Sequence, residues 1–135
     1  MSETHYLLDT SALLTLIEDE AGAARVEEVL RTQSAIITWM SLLEVTYITQ
    51  QERGVAEAEY RYALLKALPV TLLWQVEEAT LLTAVRLKAV HRLSLADTLI
   101  AAYAMQMKAT LLHKDPEFEA LTEQVDLEAL PYKTA

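Results

Sequence analysis

A chain of 135 residues, 53% of them hydrophobic and none of them cysteine, has room for one domain over 1–135 and excludes disulfides, thiolate metal sites and a cysteine nucleophile. Its 20 acidic against 11 basic side chains, a formal charge of -9, argue against a general phosphate-backbone binder, and no apolar run approaches the ~18 residues of a membrane span. With no basic leader in Met1-Ser2-Glu3-Thr4, the expectation is a cytoplasmic protein with no membrane association and with apolar surface reserved for another subunit.

His5 to Asp9 reads as a short buried strand, and Ser11 to Glu18 as a helix carrying Leu13, Leu14, Leu16 and Ile17. Ala21 to Arg31 sets Ala24, Val26, Val29 and Leu30 among charged residues, the pattern of an amphipathic helix, before a second strand at Ala35-Ile36-Ile37-Thr38-Trp39. Helical pattern resumes from Met40 to Arg53, pauses at Gly54, and returns from Val55 to Leu68, where Pro69 stops it. Val70 to Trp74 is a third strand, Glu77 to His91 and Ser94 to Lys108 are two helices, and Ala109 to His113 is a fourth strand. After Asp115-Pro116 a short helix covers Glu117 to Leu121, and Val125 to Leu130 supplies an edge strand before a polar tail. Strands alternating with helices, without hairpin turns, predict an α/β fold: a three-layer α/β/α sandwich around a mostly parallel central sheet of four to five strands.

Four carboxylates stand in apolar company: Asp9 after Tyr6-Leu7-Leu8, Glu44 in Ser41-Leu42-Leu43-Glu44-Val45, Asp97 in Leu93-Ser94-Leu95-Ala96-Asp97, and Asp115 after Leu111-Leu112-His113-Lys114. An ionised carboxylate buried without a partner costs several kcal/mol, so such acids call for a compensating cation. Hard oxygen ligands select Mg²⁺ or Mn²⁺. Each acid also has a purely structural explanation. Ser41-x-x-Glu44 and Ser94-x-x-Asp97 match the capping box, Asp115-Pro116 matches an N-cap followed by proline, and Asp9 can cap the helix near Ser11. Asp9 and Asp115, however, both end parallel strands, where open α/β sheets place their ligand crevice, and Glu44 and Asp97 are expected in first turns of helices aimed at that edge. Four acids delivered to one edge would repel one another without a cation.

Taken with Leu7-Leu8-Asp9-Thr10-Ser11-Ala12-Leu13-Leu14, Asp97-Thr98-Leu99-Ile100-Ala101-Ala102 and Leu111-Leu112-His113-Lys114-Asp115-Pro116-Glu117-Phe118, these segments make the sequence resemble the PIN-domain ribonucleases, especially the VapC-type toxins of toxin–antitoxin pairs. The resemblance covers nearly the whole chain. It implies a metal-dependent endoribonuclease in which Asp9 and Asp97 coordinate Mg²⁺ or Mn²⁺, with Glu44 and Asp115 completing the acidic centre directly or through water. Ser11 would orient a carboxylate or a metal-bound water from behind. The ion or ions would activate water for attack on an RNA phosphodiester without a nucleophilic side chain. A homodimer and a cognate antitoxin, whose basic segment would enter the acidic groove, are further implications. His113 departs from the family's usual Ser or Thr two residues before the last acid, leaving it either a structural residue or a contact to phosphate. Glu117 is a peripheral candidate for a metal or water contact.

Arg86, Lys88, His91 and Arg92 precede Asp97 and either steer an anionic substrate or simply end a helix favourably; of these Arg86, Lys88 and Arg92 are the candidate substrate contacts. Trp39, Tyr47, Tyr60, Tyr62 and Trp74 suit core or dimer packing better than stacking on bases. Other readings are an RNA-processing PIN nuclease without an antitoxin, a degenerate PIN scaffold, and a Mg²⁺-binding signalling domain. The last lacks a phospho-accepting Asp at the end of the third strand, and with only Gly22 and Gly54 the chain has no glycine-rich phosphate loop.

Overall fold

A computed structural model describes residues 5–133; residues 1–4, on which the expectation of no basic leader rests, and the last two residues of the polar tail lie outside the described residues. Five short strands form its centre: β1 (His5–Leu8), β2 (Ser34–Thr38), β3 (Thr71–Leu73), β4 (Thr110–His113) and β5 (Leu127–Ala129). They lie in the order β3-β2-β1-β4-β5, and every pairing is parallel, with Leu7 opposite Ile36 and Leu111. The sheet is thus fully parallel, where the sequence predicted mostly parallel. The chain builds outward from β1 to β3 on one side and then restarts at β4 on the other. The reversal between β1 and β4 leaves a crevice at their carboxyl ends, and Asp9 and Asp115 follow those two strands.

Among the described residues six α-helices cover the sheet: α1 (Thr10–Ile17), α2 (Ala23–Thr32), α3 (Trp39–Arg53), α4 (Val55–Ala67), α5 (Glu78–Val90) and α6 (Leu95–Met107), with a 3₁₀ turn at Pro116–Leu121. The strands alternate side chains between two cores, as period-two geometry demands. Leu7, Ile36 and Leu111 pack with Leu87 of α5, Ile100 to Ala104 of α6, and Phe118 and Leu121 of the 3₁₀ turn. Leu8, Ile37 and Leu112 pack with Ala12 and Leu13 of α1, Val26 and Val29 of α2, Leu42 and Val45 of α3, and Leu65 of α4. Both faces are covered, which is why the central strands read as continuous apolar runs.

Boundaries follow local chemistry. Leu68 is extended (ψ 151°) because Pro69 disfavours a helical residue before it, so α4 ends at Ala67. Gly54 joins α3 to α4 at φ +92°, a value that penalises any side chain, and one residue therefore makes the whole corner. One boundary corrects the sequence reading. Trp39 is not the end of the second strand but the first residue of α3, whose cap is Thr38. Ser41 therefore lies inside the helix and does not cap it, and Glu44 sits in its second turn, not its first.

Candidate active site

Asp9 ends β1 and caps α1. Its Oδ1 accepts the Ala12 N–H at 2.8 Å, and the Ser11 hydroxyl lies 2.7 and 2.8 Å from its two oxygens. Ser11 in turn accepts the Lys114 N–H at 2.9 Å, tying the end of β1 to the end of β4. Asp9 is nevertheless only 2% exposed. Burial pushes its carboxyl up to about 7; the bonds from Ser11 and Ala12 oppose the rise, and the charges of Asp97 and Asp115 add to it.

Asp97 arrives on the first turn of α6. Ser94 caps that helix, accepting the Asp97 N–H at 3.0 Å, so this half of the capping box is real. Burial raises the Asp97 carboxyl to about 6, followed by repulsion from Asp115 and Glu44; the Ser94 hydroxyl draws it down, and Glu117 pushes it up again. Asp115 caps the 3₁₀ turn, its Oδ1 accepting the Glu117 N–H at 2.9 Å, with Pro116 in the next position. Glu44 approaches from α3, where the Thr10 hydroxyl donates to its Oε1 at 2.6 Å.

Capping and clustering are therefore not rivals here. Asp9, Asp115 and Ser94 do cap helices, and the caps deliver the acids to one place. Asp97, Asp115 and Glu117 each offer a carboxylate oxygen, all within 4.8 Å of one another. Among the described residues, none of these acids nor Asp9 nor Glu44 forms an ion pair. Lys114, the cation next in sequence to Asp115, turns away: its Nζ donates to the Ala21 carbonyl at 2.9 Å and lies 3.6 Å from Glu20. An all-oxygen donor set with two carboxyls displaced upward by burial and mutual repulsion fits a hard divalent cation. Beside it opens a cleft lined by Ser11, Glu20, Glu52, Lys114, Asp115 and Lys133.

Sequence reasoning left Glu117 at the periphery, and the structure groups it with Asp97 and Asp115. Thr10 was not singled out at all; its partner lies 34 residues away, and only the folded chain brings them together. His113 is fully buried, its Nδ1 accepting the Asp115 N–H at 3.1 Å while its ring meets Phe118 edge-on at 5.1 Å. Burial lowers its pKa, so the neutral ring accepts through Nδ1 and carries its proton on Nε2, which has no partner among the described residues. Two of the basic candidates are engaged within α5 and its end: Arg86 donates to the Thr83 hydroxyl at 3.2 Å and Lys88 to the Leu93 carbonyl at 2.5 Å. Arg92 is exposed. Trp39 donates to the Tyr103 hydroxyl at 2.9 Å, while Tyr47, Tyr60, Tyr62 and Trp74 are exposed.

The PIN domain family matches residues 6–124. No curated protein sequence matches the chain. Among solved structures, VapBC2 from Rickettsia felis, bound to a DNA fragment from their promoter, superposes with a TM-score of 0.79 at 16% identity, covering 95% of this chain and 100% of the other. VapBC-1 from nontypeable Haemophilus influenzae gives 0.73 at 20% identity, with 93% and 98% covered. VapC20 from Mycobacterium tuberculosis, a toxin that cleaves the sarcin-ricin loop, gives 0.69 at 15% identity, with 85% and 93% covered. At these identities the likeness is one of fold.

Proposed function

The chain belongs to the PIN domain family, and on that premise we propose that it is a metal-dependent endoribonuclease, a single domain over 1–135 acting in the cytoplasm as the VapC-type toxin of a toxin–antitoxin pair. The observation that carries the reading is the set of five acids at the β1/β4 crevice with, among the described residues, no lysine or arginine paired to them. Asp97, Asp115 and Glu117 would hold Mg²⁺ or Mn²⁺, with Asp9 and Glu44 completing the shell directly or through water. Bound there, such an ion supplies Lewis acidity and activates water for in-line attack on an RNA phosphodiester. The protein's own share is positional. Ser11 and Ala12 fix the rotamer of Asp9, Ser94 fixes the start of the helix carrying Asp97, and His113 holds the Asp115 amide. Burial of Asp9 lowers the local dielectric, which strengthens each carboxylate's pull on a cation.

Incubating total cellular RNA with the purified protein in Mn²⁺, Mg²⁺ or EDTA, alongside Asp9→Asn, tests this reading. Discrete metal-dependent fragments lost with Asp9→Asn support it; folded, partner-free protein that cleaves nothing in either metal removes it.

The acidic cleft beside the site, rimmed by Glu20, Glu52 and Asp115, suits the basic segment of an antitoxin, which would compete with the cation through charge-assisted hydrogen bonds. Growth arrest on expressing the protein alone, relieved by co-expressing its genetic neighbour, distinguishes a toxin from a processing nuclease, which would cause no arrest. For a homodimer the suited face is that of α5 and the start of α6, where Leu81, Val85 and Leu95 are each at least half exposed and line one apolar groove. Contiguous apolar exposure of this kind suits an interaction surface. Val85→Glu should convert a dimer to a monomer in sedimentation.

A further inference from the structure

The two residues after Asp9 both carry hydroxyls, and they serve different acids. Ser11 turns back onto Asp9. Thr10, at the first position of α1, places its Oγ1 2.6 Å from Glu44 Oε1 and 3.1 Å from the Oγ of Ser41, which is fully buried. A threonine has one hydroxyl proton, and the shorter contact to an acceptor-only carboxylate takes it. The Ser41 hydroxyl therefore supplies the proton of the longer contact, and the three groups form a chain running from Ser41 through Thr10 to Glu44.

This partner choice is unusual for a helical threonine. Thr15, Thr32, Thr83 and Thr98 each return their hydroxyl to the carbonyl four residues back, as threonines in helices commonly do. Four residues before Thr10 lies Tyr6, in β1, so no helical carbonyl competes for its proton. Its hydroxyl crosses from α1 to α3. Ser41 shares that purpose: inside α3 rather than at its cap, it sits one turn before Glu44 and presents its oxygen to the same hydroxyl. Among the described residues no other hydrogen bond reaches the Glu44 carboxylate, and a glutamate with three free torsions would otherwise swing away from the repulsion of Asp97.

Resting on the reading of the acids as a metal-dependent nuclease site, we propose that Thr10 is a positioning residue which, anchored on Ser41, holds the Glu44 carboxylate against Asp97. Three variants carry the test: Thr10→Val, which keeps shape and branching but removes the hydroxyl, Thr10→Ser, which keeps the hydroxyl, and Glu44→Gln. Thr10→Val should lower kcat for metal-dependent RNA cleavage by about 10- to 100-fold, the usual cost of losing an outer-shell partner, with KM unchanged. Thr10→Ser should restore it to within about threefold, and Thr10→Val combined with Glu44→Gln should be no worse than Glu44→Gln alone. In a crystal structure of Thr10→Val the Glu44 carboxylate should be rotated away from Asp97. Full activity of Thr10→Val, losses that multiply in the double variant, or an unmoved Glu44 in that structure would each overturn the proposal. If the wild type cleaves no RNA, the functional reading fails, and the position of Glu44 in the Thr10→Val structure still decides on Thr10. Should Thr10→Val not fold, Thr10→Ala enters the same comparison.

Discussion

Two groups of carboxylates border the same sheet and are compensated in opposite ways. Glu128, on β5, receives the Arg25 guanidinium at 2.7 and 3.0 Å and the Tyr6 hydroxyl at 3.2 Å. The bonds from Arg25 hold its carboxyl below the usual range. Glu20 is treated likewise, with Lys133 3.0 Å away and the bond from Lys133 lowering its carboxyl. At the β1/β4 crevice, Asp9 accepts hydrogen bonds from Ser11 and Ala12 and the Asp97 carboxyl is drawn down only by the Ser94 hydroxyl; among the described residues neither meets a cation, and both are displaced upward. A chain that pairs its other half-buried acids with basic residues leaves its most deeply placed acids without one among the described residues, as the proposed metal-dependent function requires. Asymmetry of this kind separates a structural acid from a functional one better than burial alone.

The sharpest way to break the comparison is to remove one acid from each group. Asp97→Asn should lower metal-dependent cleavage by more than about a hundredfold, since loss of an outer-shell partner alone costs 10- to 100-fold, while the melting temperature without metal stays level or rises through relief of repulsion. Unfolding of Asp97→Asn, with no effect of Mg²⁺ on the wild type, would instead make the acid a structural cap.

Stability against pH and metal comes next. In the unfolded chain Asp9 and Asp97 are ionised above about pH 5, but folded Asp97 keeps its proton to about 6 and Asp9 to about 7. Between those limits Asp9 and Asp97 make the folded state bind more protons, so their contribution to stability falls as pH rises from 5 to 7.5, for Asp9 by on the order of a few kcal/mol. Buried His113, its pKa lowered, works the other way as pH rises through the unfolded imidazole range. Glu20 and Glu128 do not interfere. Their lowered carboxyls are ionised throughout that window, and their contribution is lost only as pH falls below about 4.5. A divalent cation at a hundred times its Kd should add about 2.7 kcal/mol at neutral pH, roughly 10 °C in melting for a chain of this size. Melting curves at pH 5 and 7.5, with and without Mn²⁺, for the wild type and Asp9→Asn measure both effects; a metal-free wild type with the same pH dependence as Asp9→Asn would contradict them.

Glu128→Gln should show the converse behaviour. With the side chains of Arg25 and Glu128 37% and 30% exposed, solvent screening limits the loss to about 0.5–1 kcal/mol; Mn²⁺ should not change that loss, and the substitution should leave metal-dependent cleavage as it is. Chemical denaturation with and without Mn²⁺ measures it.

What the sequence revealed and what it hid divide along sequence distance. Asp9 and Asp115 were legible because four-residue apolar strands ending in an acid fix the acid at the carboxyl edge, and Ser94 because a cap reads only its own first turn. Ser41 misled for the same reason. Ser-x-x-Glu looks alike at a helix start or inside it, and β2 runs into α3 at Trp39 with no loop to mark the boundary. Thr10 was invisible because its hydroxyl is used across two helices. Glu117 had a signal, an acid just after Asp115-Pro116, but only the 3₁₀ turn brings its oxygen to Asp97.

The smallest effect concerns the basic residues near α5, which the sequence treated as one group of candidate substrate contacts. Lys88 and Arg86 already spend donors on the Leu93 carbonyl and the Thr83 hydroxyl, and Thr83 also accepts from Gln106 of α6. Their replacement by alanine should act mainly on the α5/α6 packing, with a melting temperature lowered and KM little changed. Exposed Arg92 has no such duty. Losing a phosphate contact there would weaken RNA binding uniformly across sequences and reduce the dependence of log K on log salt by about one unit, so Arg92→Ala should raise KM about twofold near physiological salt while leaving melting and kcat alone. Equal salt slopes for wild type and Arg92→Ala would assign the whole α5 end to helix termination, where cations favour the carbonyl end of the dipole, and leave orientation of the RNA to surfaces nearer the acids.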